Sequence, residues 1–341
     1  MALTVDEALR RGEEAWSDDD LEGALEWAEK ALELDPQALG GLDLKAHALA
    51  ELGELEAAAV AFDDLLEREP QNPVHLLSAA EVRVRWAQDD RDALEEALEL
   101  LDRAHALSRG DAELAPEVAL LRGLALNHLG DSEGALACLD QVLEDDPDHP
   151  EARLERAFAL FELNRLDEAQ RTLESLTRDH PDEAWAFHYL ALIAERKGKD
   201  PAPAFAKARA IDPQAFPPPV HLSPEDFDAA VAEAIERLPA HARPALENAI
   251  LTVEPIPGDE DVNEGLSPTI LGVFHGTPVD ERSPVEAAHH LTARITLFQR
   301  NLERFAHTRE ELIEEIRITV LHEVGHLLGL DEDELYQRGL D

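Results

Sequence analysis

Residues 31–36, ALELDP, close the first of several similar segments along this chain of 341 residues. Comparable endings recur further along, and within the regular parts they lie 34, 34 and 32 residues apart. These endings are LLEREP at Pro70, VLEDDP at Pro147, LTRDHP at Pro181 and ARAIDP at Pro213. The longer gap before Pro147 holds two units, the first of which lacks its proline and ends near ALSRGD. Because the intervening residues are rich in Ala, Leu and Glu, a period near 34 predicts repeated pairs of amphipathic helices.

Small residues recur at fixed distances before these prolines. Alanine stands twelve residues before four of them, and two glycines mark a further position; these residues are Ala24, Ala58, Ala135, Ala169, Gly53 and Gly130. Small side chains allow two antiparallel helices to approach closely, and a proline ends the second helix before the next unit begins. The pattern resembles the tetratricopeptide repeat, with six copies over residues 1–213. The resemblance implies an all-α solenoid with a concave peptide-binding face. A spacer or dimerisation scaffold is the alternative.

The net charge of −45 restricts the partners of this chain. Nucleic acid and anionic membranes both attract basic surfaces, so we expect no nucleic acid and no membrane partner. No apolar run reaches the length of a membrane span. The single cysteine, Cys138, excludes an intrachain disulfide and reads as a small core residue. We therefore expect a cytoplasmic protein, and the resemblance to tetratricopeptide repeats implies that the array binds a protein partner.

The composition changes after Pro213. Residues 214–222 are proline-rich and predict an extended linker. Ser223 then caps a new helix that has Pro224 at its first position. The β-branched stretches AILTVEPI, TILGVFHG and ARITLFQR follow, with an acidic loop between the first two. Residues 223–341 thus predict a small α+β domain with about three strands and a long last helix.

That last helix carries the sequence HEVGH. Thr308 and Glu311 form a predicted capping box, and an apolar stripe from Leu312 to Leu328 faces the core. On a helix His322 and His326 lie one turn apart on the same face, so their imidazoles can bind one metal. Glu323, rotated by one position, can instead reach a water at that metal. A catalytic zinc needs three protein ligands, so the third must come from elsewhere.

Gly329 suggests where the third ligand lies. A glycine seven residues after His322 can adopt a left-handed conformation and turn the chain back. Glu332 stands ten residues after His322, the position of the third ligand in the pattern H-E-x-x-H-x-x-G-x-x-H/D. Asp331 and Asp333 remain alternatives.

Residues 223–340 resemble the minimal zincin-like metallopeptidases, a bacterial family related to the metzincins. The stretches that carry the resemblance are SPEDFDAAVAEAIERLP, LGVFHG, DERS, ARITLFQRNLERF and LIEEIRITVLHEVGHLLGLDEDEL. The resemblance implies a zinc-dependent peptidase with His322, His326 and Glu332 as metal ligands and Glu323 as general base. The chain has no Met-turn, because its only methionine is Met1.

Several other residues and one other function remain open. His275, His289 and His290 are weaker ligand candidates, and Tyr336 is a candidate for hydrogen bonding to an oxyanion. The strand around Arg294 is either a sheet edge that pairs with an extended substrate or an ordinary core strand. The alternative function is a repeat-based adaptor whose zincin module binds metal or peptide without cleaving it.

Overall fold

A computed structural model describes most of the chain. The described residues are 3–86, 90–108, 114–239, 243–246, 249–276, 293–330 and 334–335. The chain divides into two compact units, Met1–Leu160 and Phe161–Asp341. No helix in the described part is long and apolar enough to cross a bilayer.

The described residues of the repeat region form twelve helices. They are α1 Val5–Ser17, α2 Leu21–Leu34, α3 Leu39–Glu51, α4 Leu55–Arg68, α5 Pro73–Trp86, α6 Arg91–Leu107, α7 Leu114–His128, α8 Ser132–Asp145, α9 Pro150–Glu162, α10 Leu166–Asp179, α11 Ala184–Arg196 and α12 Ala202–Ile211. In the first unit α1 packs on α2, α3 on α4, α5 on α6 and α7 on α8, and in the second unit α11 packs on α12. The second helix of a pair ends two residues before each predicted proline, which confirms the period read from the sequence.

The small residues of the repeats have two different roles. The four predicted alanines are fully buried in helices α2, α4, α8 and α10, as close helix packing requires. Gly53 and Gly130 instead have φ of +80° and +81°, and a Cβ at either would have no atom within 4 Å. Close packing was therefore the wrong reason for these glycines, because each forms the left-handed turn between paired helices.

The C-terminal region is the predicted α+β fold. It begins with α13, Pro224–Arg237, and Ser223 Oγ accepts the amide of Asp226 at 3.1 Å as expected for its cap. The remaining elements are α14 Arg243–Leu246, β1 Ala249–Glu254, α15 Asp259–Asn263, β2 Gly272–His275, β3 Ala293–Phe298, α16 Gln299–Phe305 and α17 Arg309–Leu327. Helices α13, α16 and α17 enclose one apolar core with the sheet.

The sheet has the order β1–β3–β2 in the described residues. Strand β3 is parallel to β1, with Ala249 opposite Ala293, and antiparallel to β2, with Val273 opposite Thr296. The possibility that β3 is a sheet edge for substrate is therefore wrong, because both of its edges are paired. Five of its six residues are buried, as is typical of a central strand.

The segment predicted as a linker makes several contacts. Phe216 is buried against the aromatic rings of α11, and the Val220 amide donates to Glu303 O at 3.1 Å. Val220 and Leu222 also pack on the core of the C-terminal region. The boundary at residues 214–222 stays a prediction, but this segment packs on α11 at one end and on the C-terminal core at the other.

Candidate metal centre

Helix α17 presents the HEVGH sequence on a rigid support. Thr308 Oγ1 accepts the Glu311 amide at 3.1 Å as predicted, and Glu311 Oε2 accepts the His307 amide at 2.9 Å, so both side chains stabilise the start of α17. Leu312, Ile316 and Val320 are fully buried, as expected for the core-facing stripe. Leu328 was wrongly included in that stripe, because it is the C-cap residue and its side chain is exposed.

The two histidines of the motif meet on one side of α17. The Nε2 atoms of His322 and His326 are 3.0 Å apart, and the rings are nearly perpendicular at 85°. Two nitrogens bound to one tetrahedral zinc at about 2.0–2.1 Å would lie about 3.3 Å apart. The spacing of these nitrogens thus fits a shared zinc ion to within a few tenths of an ångström.

The proton of His326 is placed by a backbone carbonyl. His326 Nδ1 lies 3.2 Å from Leu330 O, and because a carbonyl only accepts, Nδ1–H is the donor. This tautomer leaves a lone pair on Nε2, the atom that faces His322. Such a second hydrogen bond is usual for a metal-binding histidine, since it fixes both tautomer and ring orientation. Sequence reasoning missed this role of Leu330, because a backbone acceptor leaves no signal in residue type.

Glu323 stands between the two histidines in the sequence, and its side chain is only 6% exposed. A buried carboxylate is partly shielded from bulk water, so it interacts strongly with any proton or cation that comes near it. The arrangement of two imidazoles and one carboxylate on a single helix is suited to binding a metal and transferring a proton beside it.

The chain turns back after the helix. Gly329 has φ of +86°, which confirms the predicted left-handed turn. Past this turn Leu335 is fully buried, and a Cβ at Gly325 would collide with its side chain. Gly325, the fourth residue of HEVGH, therefore lets the returning segment pack directly on the ligand helix. The sequence contained this glycine, but its partner became evident only from the structure.

The remaining ligand candidates have different outcomes. Glu332, Asp331, Asp333, His289, His290 and Tyr336 lie outside the described residues. His275 is exposed at the end of β2, with Nε2 3.9 Å from Asp261 Oδ1. In the described part of the chain, no three His, Cys, Asp or Glu side chains form a metal-binding group, so His275 does not join the histidine pair.

Cys138 has no place in this centre. It is half-buried on α8, and burial raises the pKa of its thiol, which disfavours the reactive thiolate. This agrees with its interpretation as a packing residue.

Two family models match separate parts of the chain. Residues 246–340 match the model of the zincin-like metallopeptidase family, and residues 126–195 match a tetratricopeptide-repeat model. Cellulose synthase operon protein C of Xanthomonas axonopodis pv. citri (strain 306) is 27% identical over 194 residues. That match covers 56% of this chain but only 12% of the relative.

Solved structures resemble the repeats. The Cut9–Hcn1 hetero-tetramer of the APC/C is 18% identical with a TM-score of 0.50, covering 62% of this chain and 41% of that one. A tetratricopeptide repeat protein of Parabacteroides merdae ATCC 43184 is 19% identical with a TM-score of 0.47, covering 61% and 77% of the two chains. A thermophilic repeat protein of Thermus thermophilus is 26% identical with a TM-score of 0.42, covering 56% and 98%. The two family matches thus give the chain an N-terminal array of tetratricopeptide repeats followed by a C-terminal zincin-like domain.

Proposed function

We propose that the C-terminal region is a zinc-dependent peptidase and that the repeats recruit its polypeptide substrates or a protein partner. The observation that carries this proposal is the 3.0 Å approach of the two Nε2 atoms on α17, with the buried Glu323 between their residues. A helix that only covered the core would gain nothing from two imidazoles that face each other at this spacing.

His322, His326 and Glu332 would hold the zinc. Support for Glu332 comes from the described residues on either side of it. Leu330 O accepts the proton of His326 Nδ1, and Leu335 packs on Gly325, so both ends of the intervening segment contact the ligand helix. Only residues 331–334 separate them, and Glu332 holds the position that the family pattern gives to the third ligand.

Glu323 would act as the general base. When bound, zinc supplies Lewis-acid polarisation of the scissile carbonyl and lowers the pKa of water from 15.7 toward about 7. Glu323 would accept the proton of the attacking water and return it to the leaving amine. His326 would keep its ring orientation through the Leu330 carbonyl while the charge at the site changes.

The composition supports a class of partner and a cellular compartment. A net charge of −45 supports polypeptide partners over nucleic acid or anionic membrane. A single cysteine leaves no intrachain disulfide, which supports a reducing compartment such as the cytoplasm.

The test is cleavage of a mixed peptide library by the full-length chain, read by mass spectrometry with and without a zinc chelator. The proposal predicts cleavage that the chelator abolishes and added zinc restores. If the zinc-loaded chain cleaves no peptide and no unfolded protein, the module binds metal without hydrolysis, and the adaptor alternative replaces the proposal.

A further inference from the structure

A cavity of about 510 Å³ lies in the second unit, away from the histidine pair. Its walls come from α11, α12, the proline-rich segment before α13, α16 and His307. The volume is within the usual range for a binding pocket, about 300–1,000 Å³. None of its lining residues belongs to the metal centre, so it is a separate candidate site.

One side of the cavity is aromatic. His188 stacks on Phe216 with ring centroids 4.9 Å apart and meets Phe205 at 5.4 Å. Burial, assisted by the charge of Arg304, lowers the pKa of His188 to about 4, so its ring is neutral at pH 7. This wall is thus an uncharged surface that accepts an apolar group.

The carboxylates of the cavity already have partners. Glu195 accepts Arg300 Nη1 at 2.9 Å and Arg304 Nη1 at 2.6 Å. Glu303 Oε1 accepts the Leu222 amide at 3.0 Å and Gln299 Nε2 at 2.8 Å. Because these hydrogen bonds occupy both carboxylates, they are poor acceptors for a ligand.

Arg209 on α12 is the surplus cation of the cavity. The lining residues include Arg209, Arg300 and Arg304 but only the two glutamates, so one positive charge is left over. In the part of the chain that the structure describes, the Nε–H of Arg209 is buried without a hydrogen-bond partner. The guanidinium lines the cavity, so its charge attracts an anion bound there. Such a surplus stands out in a chain whose net charge is −45.

We infer that this cavity binds the C-terminal residue of a polypeptide, with its carboxylate at Arg209 and a large apolar side chain against Phe205 and Phe216. A guanidinium matches the two oxygens of a carboxylate, and a single surplus charge suits a monovalent anion. A free organic acid shares this chemistry. The cavity volume, however, exceeds that of one such residue and leaves room for the residue before it. The inference does not depend on the proposed peptidase activity.

The experiment measures fluorescence anisotropy of labelled Gly-Ala-Phe and Gly-Ala-Leu with free C-termini. Their C-terminal amides and unlabelled N-acetyl-phenylalanine as competitor are the comparison ligands. The full-length chain carries Glu323→Gln throughout, so that no probe is consumed. We expect the free-acid peptides to bind at least about tenfold more tightly than the amides, and N-acetyl-phenylalanine to compete at least tenfold less well than the unlabelled peptides. Arg209→Gln should weaken binding about tenfold or more, and Phe205→Ala should weaken it as well.

The matched control is Arg171→Gln, which removes an exposed arginine of α10 in the same unit. It should leave peptide affinity unchanged, and melting curves check that every variant is folded. Equal affinity for acids and amides, full affinity in folded Arg209→Gln, or no binding of either peptide overturns the inference. N-acetyl-phenylalanine competing as well as the peptides overturns the assignment to a polypeptide end.

Discussion

His322 and His326 owe their orientation to neighbours that lie within one helical turn. The Leu330 carbonyl fixes one tautomer, and the helix spacing brings the two Nε2 atoms to 3.0 Å. The sequence was sufficient to predict that these two imidazoles lie side by side, since the i, i+4 relation holds on any helix. It was insufficient for the third ligand, because the path of a chain after a turn depends on packing such as that of Leu335 on Gly325.

The third ligand can be identified by three alanine substitutions. We expect Glu332→Ala to weaken zinc binding by at least tenfold, since a catalytic site with two protein ligands holds zinc poorly. Asp331→Ala and Asp333→Ala are the matched controls and should change the zinc Kd by less than about threefold. Competition with a chromophoric chelator measures all three affinities. If an aspartate variant loses zinc while Glu332→Ala keeps it, the ligand register is shifted by one residue.

Glu162 predicts a pH dependence of stability. Burial raises the pKa of Glu162 to about 7, although the Ser267 hydrogen bond and the Arg196 charge oppose this. The folded-state pKa exceeds the unfolded value of about 4.5, so stability from the protonated form is complete below that value and lost as pH rises through 7. As pH rises from 5 to 8, the wild type should therefore lose about 1–3 kcal/mol of unfolding free energy relative to Glu162→Gln, which has no charge to bury. Urea unfolding measures the difference, and a difference independent of pH would disprove the assignment.

At the scale of elements, local sequence patterns correctly predicted the features that depend on a single element. The three β-branched stretches became β1, β2 and β3, and the capping sequences started α13 and α17 as expected. The order of the strands was not predictable in the same way. The near-continuous apolar run from Ile295 to Phe298 indicates a central strand, but over so few residues the pattern of an edge strand looks much the same.

The turns between paired helices give a second example. Gly53 and Gly130 were evident from their residue type, whereas Asp19, Asn164 and Gly198 occupy the same left-handed position without having been recognised. Asp and Asn tolerate this conformation because their short polar side chains hydrogen-bond locally. At this repeat position these five turns therefore keep one backbone conformation, whereas the residue type varies.

Gly329 and Gly53 form a matched pair for testing the turn after α17. Their φ angles are +86° and +80°, so alanine at either should cost about 1–2 kcal/mol in backbone strain. Gly329→Ala should also weaken zinc binding, because it disturbs the segment that returns to α17, whereas Gly53→Ala should leave zinc affinity unchanged. Thermal melts and zinc titrations of both variants separate the two effects. Equal zinc affinity in folded Gly329→Ala would show that the turn does not position a ligand.

At the scale of the whole molecule, the predicted boundary at residues 214–222 is crossed by polar contacts within the second unit. Glu195 pairs with Arg300 and Arg304, and Arg196 donates to Pro257 O at 3.1 Å and to Asp259 Oδ1 at 2.7 Å. The last repeat helices and the C-terminal region therefore stabilise each other across the predicted boundary. No pattern in the sequence indicated these pairs, because each joins residues more than sixty positions apart.

Two fragments test this organisation. If the boundary is where the sequence predicts it, residues 223–341 and residues 164–341 should both bind zinc with the affinity of the full chain. The shorter fragment should melt at a lower temperature, by about 2–8 °C for each kcal/mol lost, because Arg304 loses Glu195 and the apolar core loses Val220 and Leu222. Calorimetry and zinc titration measure both properties. Loss of zinc binding only in the shorter fragment would mean that the last repeat helices are part of the metallopeptidase-like domain.

The central claim is that Glu323 transfers a proton at a zinc held by its neighbours, and turnover of Glu323→Gln tests it most directly. The measurement is kcat/KM on one cleaved peptide for the wild type, Glu323→Gln and the control Glu315→Gln, whose residue lies about two turns earlier on α17, with zinc content determined in parallel. We predict equal zinc content in all three proteins, wild-type turnover in Glu315→Gln, and a loss of about 10²- to 10⁴-fold in Glu323→Gln. Full turnover in zinc-loaded Glu323→Gln would contradict the account.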